Sequence, residues 1–184
     1  DIKGYKQSQL LTSCRFSPCG GFVVAGDFDG RLHRWDLATD ERIEVGRHES
    51  WISGLAFAGK RLYSSDLQGG VKAWDAATGA ALWSRPSAHP GWLKAFAVSP
   101  DGTLLATGGR DGVVRIWSGE DGKLVRECPG HEGYVFSAVF HPDGKSLVAG
   151  DYAGKVRQWE LSSGRLLGDL DAGVLLRMSA VFLC

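Results

Sequence analysis

Apolar residues in this chain fall in short runs of about five, separated by polar turns. One stretch shows the pattern fully. Leu93–Val98 leads into Ser99-Pro100-Asp101-Gly102, then Leu104–Gly108, Arg110-Asp111-Gly112, Val113–Trp117, Asp121-Gly122 and Lys123–Cys128. Short runs rich in branched and aromatic residues, bounded by Asp-Gly or Pro-Asp-Gly, predict antiparallel strands joined by hairpins.

The group of strands recurs. Trp35, Trp74, Trp117 and Trp159 stand 39, 43 and 42 residues apart and are followed by Asp36, Asp75, Ser118 and Glu160. His48, His89 and His131 precede the next of these tryptophans by 26, 28 and 28 residues. The short interval has a visible cause, because Phe57-Ala58-Gly59-Lys60 replaces the longer turn in Phe140-His141-Pro142-Asp143-Gly144-Lys145. Four strands every ~40 residues predict the blade of a β-propeller, whose faces are buried by the neighbouring blades. The repeats span approximately 6–45, 46–87, 88–128 and 129–170, with flanking strands expected at 1–5 and 174–184. Asp1–Tyr5 falls where the fourth strand of a preceding blade belongs. Ser179–Phe182 repeats Ser137–Phe140 at an offset of 42. The expectation is a partial, unclosed propeller segment of a larger protein, with further blades in cis.

The Trp-Asp pairs, the Gly130-His131 element with the looser Gly46-Arg47-His48, and the Ser-Pro-Asp-Gly turn resemble the WD-repeat family over nearly the whole chain. The resemblance implies an all-β fold of four-stranded blades and a buried tetrad of His, Ser or Thr, Asp and Trp. His89, Thr107, Asp111 and Trp117 complete it in the third repeat. The first repeat keeps Asp29 and Trp35 but has Gln7 and Ala25. The second has His48, Ser64 and Trp74 but Gln68 at the acid position, and the fourth has His131 and Trp159 with Ala149 and Ala153. The incomplete sets predict weaker blades, most clearly the fourth. A His, a hydroxyl and a carboxylate also make a nucleophilic triad. A hydrolase would need an oxyanion hole and a cleft beside the hydroxyl, and the pattern supplies neither. Burial explains the set better, since a buried imidazole needs partners for both nitrogens.

Composition changes this picture little. Lys plus Arg and Asp plus Glu are 21 each in 184 residues, which argues against a binder of nucleic acid or of an anionic membrane. The chain has 26 glycines, and the excess is ascribed to turns at the strand junctions, at Gly20, Gly30, Gly70, Gly102, Gly112, Gly144 and Gly154. Cys14, Cys19, Cys128 and Cys184 have no framework spacing, so reduced thiols in the cytoplasm are expected. No apolar run approaches the length of a bilayer span, and Asp1–Leu10 lacks the apolar segment of a signal peptide. Gly54–Arg61 approaches a phosphate-binding loop but has Arg61 where Ser or Thr must stand. Asp27-Phe28-Asp29-Gly30 lacks the acid that closes a calcium loop, and His33 and His141 have no second ligand at a metal spacing. No metal or cofactor is expected.

Function is expected at the positions that the repeat leaves free. The residue before the tetrad acid position is Phe28, Leu67, Arg110 and Tyr152 in successive repeats. Five past the His position come Thr12, Ser53, Lys94 and Phe136. Phe28, Leu67, Lys94, Arg110, Phe136 and Tyr152 are the candidate contacts for a protein or peptide, being the residue types of binding hot spots set in loop tips. Trp51, Trp92 and Tyr134 share a position three past the His and read as packing between blades. The expected function is a non-catalytic interaction scaffold. The alternatives are a propeller enzyme, which would need acids or histidines converging on the channel mouth, and a regulatory or sensor domain attached to a catalytic module.

Overall fold

The computed structural model describes residues 9–171, so the expected strands at 1–5 and 174–184, and Gln7, lie outside the described residues. The described residues form sixteen strands and no helix. Blade I comprises β1 (Leu11–Phe16), β2 (Phe22–Asp27), β3 (Arg31–Asp36) and β4 (Arg42–Arg47). Blade II comprises β5 (Ile52–Ala58), β6 (Arg61–Asp66), β7 (Val71–Asp75) and β8 (Ala81–Arg85). Blade III comprises β9 (Leu93–Val98), β10 (Leu104–Gly109), β11 (Val114–Ser118) and β12 (Leu124–Cys128). Blade IV comprises β13 (Val135–Phe140), β14 (Ser146–Asp151), β15 (Lys155–Glu160) and β16 (Leu166–Asp171). Each blade is a separate antiparallel sheet with its strands in chain order. Of the described residues, those up to Ala88, with blades I and II, and those from His89 on, with blades III and IV, form two compact units.

The core of each unit is built between its own two blades. In the first, Val24, Leu32, Ile52, Leu55, Leu62 and Trp74 close up; in the second, Ala95, Ile116, Val135, Leu147, Ala149 and Trp159 do so. A methyl group on Gly26 of β2 would sit 2.3 Å from Ile52, the first residue of the next blade. One on Gly108 of β10 would meet Val135 at 2.6 Å. Ile52 and Val135 are almost fully buried, and each such side chain stabilises the fold by about 2 kcal/mol. Gly20, Gly30, Gly102, Gly112, Gly144 and Gly154 take the positive φ of turn residues, as expected, while the strand glycines Gly26 and Gly108 have a second role: they leave the hollow into which the next blade's first side chain fits. Gly70 is the one turn glycine to be corrected. The left-handed residue of its turn is Gly69 (φ 99°), while a side chain on Gly70 would strike the Asp66 carboxylate.

One irregularity recurs in all four blades. Where the first strand pairs with the second, the register slips by one residue, leaving Thr12, Ser53, Lys94 and Phe136 unpaired in the ladder. A β-bulge of this kind bends the strand and re-aims the extra side chain. The position five past the His is therefore a built feature of each blade.

Candidate protein-binding face

Buried carboxylates fix the loops that carry the candidate residues. In blade II, His48 Nδ1 lies 2.8 Å from Asp66 Oδ2, and His48 Nε2 lies 2.7 Å from Ser64 Oγ. Trp74 Nε1 donates to that same Oγ at 2.7 Å. An indole N–H can only donate, so the hydroxyl spends its own proton on Nε2, leaving the imidazole proton on Nδ1 facing the carboxylate. The second oxygen of Asp66 accepts the Gly70 N–H at 2.9 Å, closing the β6–β7 turn. Burial would raise the Asp66 carboxyl, but the bonds from His48 and Gly70 outweigh it and hold it below the usual carboxylate range.

The structure brings His89, Thr107, Asp111 and Trp117 together in blade III. His89 Nε2 is 2.7 Å from Thr107 Oγ1, which also takes the Trp117 indole at 2.7 Å, and His89 Nδ1 is 3.0 Å from Asp111. Arg115 is bonded to the same carboxylate and, through Nε at 2.8 Å, to Glu127.

The assignment of the acid position in the other blades is overturned. Asp27, Asp66 and Asp151, each two residues before the position held by Asp111, carry the role instead of Asp29, Gln68 and Ala153. Asp151 Oδ2 meets His131 Nδ1 at 2.7 Å while its Oδ1 accepts the Lys155 N–H. Asp27 accepts the Asp29 and Arg31 N–H groups and bonds His33 Nε2 at 2.8 Å. His33 is thus a buried partner of Asp27. The earlier site works because a carboxylate there reaches the backbone N–H four residues on and the imidazole at once. Blade III has Gly109 at the earlier site, where a Cβ would lie 2.0 Å from the Trp92 carbonyl, so its acid must come from Asp111. The recurring Asp at the end of the second strand was the available signal.

Above these networks the four loops are tied by one repeated backbone bond. The N–H of Phe28, Leu67, Arg110 and Tyr152 donates to the carbonyl of Leu10, Trp51, Trp92 and Tyr134 at 3.0, 2.9, 2.8 and 2.8 Å. The bond is the same in every blade while the side chain differs. Phe28, Arg110 and Tyr152 are exposed, and Leu67 is half-buried. At the bulge, Lys94 and Phe136 are exposed. Thr12 and Ser53 are used internally, through Thr12 Oγ1 to the Ile52 carbonyl at 2.6 Å and Ser53 Oγ to Ser65 Oγ at 2.9 Å.

In the first unit Phe28 stacks on Trp51 of the following blade, ring centres 3.6 Å apart. In the second, Arg110 lies over the Tyr134 ring at 5.8 Å, and Phe136 meets Tyr152 at 5.9 Å. Trp51 and Tyr134 do pack across a blade boundary within their units, yet both, like Trp92, are exposed. Among the described residues no three His, Cys, Asp or Glu side chains gather as a metal site, and no helix is long and apolar enough to cross a membrane.

Four-stranded antiparallel blades, each packed through its first strand on the one before within a unit, define the β-propeller class. The chain belongs to the WD-repeat family: the family model "WD domain, G-beta repeat" matches residues 2–36, 82–118 and 122–160, more than half of its length. Among curated proteins it is similar to the rice (Oryza sativa subsp. japonica) small ribosomal subunit protein RACK1y, 30% identical over 171 residues, 64% of this chain and 51% of that protein. It is also similar to human kinesin-like protein KIF21A, 33% identical over 115 residues, 59% of this chain and 7% of that protein. Among solved structures, the computationally designed Ika4 protein superposes with a TM-score of 0.76 at 28% identity, covering 87% of this chain and 95% of that one. A chain of the mitotic checkpoint complex superposes with a TM-score of 0.83 at 21% identity, covering 92% and 53%, and shows the fold alone. The chain spans about half the length of the rice relative and of that checkpoint-complex chain.

Proposed function

We propose that this chain is a non-catalytic scaffold that binds a protein or peptide through Phe28, Leu67, Lys94, Arg110, Phe136 and Tyr152. The observation that carries the reading is the repeated backbone bond beneath Phe28, Leu67, Arg110 and Tyr152, which holds each loop in one shape and leaves its side chain free to vary. Exposed aromatic and Arg side chains on rigid backbone are what binding hot spots consist of. The buried His, hydroxyl and Asp sets are spent on holding the blades. That supports a scaffold over a propeller enzyme, and nothing in the geometry favours an attached catalytic module. Further blades in cis belong to the same reading, supported by the half-length match to the rice relative. Cytoplasmic residence accords with the free thiols of Cys14, Cys19 and Cys128. No nucleic acid, membrane or cofactor enters it.

The test is a triple variant, Phe28→Ser, Arg110→Gln and Tyr152→Ser, used as bait beside the unaltered chain. The proteins captured by the unaltered chain should be lost from the variant while its melting temperature stays the same. Equal capture by both would overturn the face.

A further inference from the structure

Blades III and IV carry a face of mixed chemistry. Tyr152 is 80% exposed, Trp92 55% and Phe136 47%, far more apolar ring surface than folding requires a loop to show water. Into this aromatic ground are set two cations. Arg110 hangs from the backbone bond to Trp92 and lies over the Tyr134 ring; Lys94 stands at the bulge of β9, which runs beside β13 and its own bulge residue Phe136. Neither makes an ion pair with any described residue. By contrast Arg115, Lys155 and Arg157, on the third strands of the same two blades, each bond a carboxylate. Glu132, the acid in the Gly130–Tyr134 loop, lies in the field of Lys155. A guanidinium held over a ring face within about 6 Å is partly fixed in place for a carboxylate, and desolvation by neighbouring rings strengthens the pair.

We infer that the face formed by Trp92, Lys94, Arg110, Tyr134, Phe136 and Tyr152 binds an acidic peptide segment in which Asp or Glu adjoins an aromatic or large aliphatic residue. The inference rests on the scaffold reading and names the ligand of that site. Carboxylate is favoured over phosphoryl because phosphate recognition uses clusters of arginine, and this face has one Arg and one Lys. A strand of nucleic acid would need a run of cations tracking its backbone, which two do not make.

The experiment is selection of a displayed library of random peptides on the immobilised full chain, in parallel with Arg110→Gln, Lys94→Gln and the double variant Phe136→Ser, Tyr152→Ser. Expected are enriched peptides that place Asp or Glu beside an aromatic or aliphatic residue. Replacing those acids by their amides weakens a synthetic copy about tenfold, and Arg110→Gln abolishes that difference. Lys94→Gln should reduce it, which keeps the test valid if Arg110→Gln lowers the melting temperature. Enrichment of neutral apolar peptides, lost only in Phe136→Ser, Tyr152→Ser, would overturn the acidic ligand and leave the scaffold face standing. No enrichment, or enrichment indifferent to all variants, would overturn both. Displacement of the peptides by a thymidine oligonucleotide at lower concentration than by free peptide would reassign the face to nucleic acid.

Discussion

His131 gives its Nδ1 to Asp151 at 2.7 Å, while its buried Nε2 has no hydrogen-bond partner among the described residues, blade IV having Ala149 at the hydroxyl position. In blades II and III the equivalent nitrogen meets the hydroxyl of Ser64 or Thr107.

Supplying that hydroxyl should repair blade IV. Ala149→Ser is expected to stabilise the chain by about 1 kcal/mol, the usual net worth of a buried hydrogen bond plus relief of an unsatisfied nitrogen. Urea unfolding would show a higher midpoint at unchanged slope. A lower midpoint would mean the strand has no room for the oxygen.

The displaced acid makes a sharper prediction. Asp66→Ala leaves both the His48 Nδ1 proton and the Gly70 N–H without an acceptor and should cost about 2–4 kcal/mol. Gln68→Ala, at the position where the family pattern puts the acid, should cost almost nothing. Equal losses in a thermal melt would sink the assignment of Asp66.

Stability should also depend on pH in two stages. Burial drives His48 and His89 below the ordinary imidazole value of about 6.5, although Asp66 and Asp111 oppose it. Below about pH 6.5 the unfolded chain takes up protons that the folded imidazoles refuse, so stability falls until the folded groups protonate too. Burial raises the Asp66 and Asp111 carboxyls, but His48 and Arg115 respectively outweigh it and hold them low. Their contribution is present above about pH 4 and is lost as pH falls further. A melting temperature that stays flat from about pH 7.5 to about pH 5 would contradict the first stage.

Gly108→Ala pushes a methyl to 2.6 Å from Val135 and should cost about 1–3 kcal/mol by overpacking. Val135→Ala in the same chain should recover part of that loss, so the double variant is more stable than the two single costs added. Strict additivity, measured by chemical denaturation, would show that the two side chains do not meet.

Much of this architecture was legible in the residues. The Asp-Gly turns and the Trp35, Trp74, Trp117 and Trp159 period led directly to four-stranded blades, because hairpin chemistry and hydrophobic period are local properties. The acid in blades I, II and IV was not read correctly, since a register template placed it at the site held by Asp111. Whether a carboxylate reaches its imidazole depends on the path of the turn, and Asp27, Asp66 and Asp151 reach from two residues earlier. Gly26 and Gly108 were also missed, for a methyl is excluded there by the next blade rather than by neighbours in sequence. The bulges at Thr12, Ser53, Lys94 and Phe136 share one position of the repeat, but the slip in pairing that defines them is a property of two strands.

The backbone bond under Phe28, Leu67, Arg110 and Tyr152 uses only atoms that every residue except proline possesses. Replacing one of those side chains therefore leaves the tether in place. Such loops can drift, blade by blade, through many side chains at almost constant stability. A duplicated copy of this gene could thus acquire a new partner by a handful of single-codon changes, the one substitution barred from the path being proline.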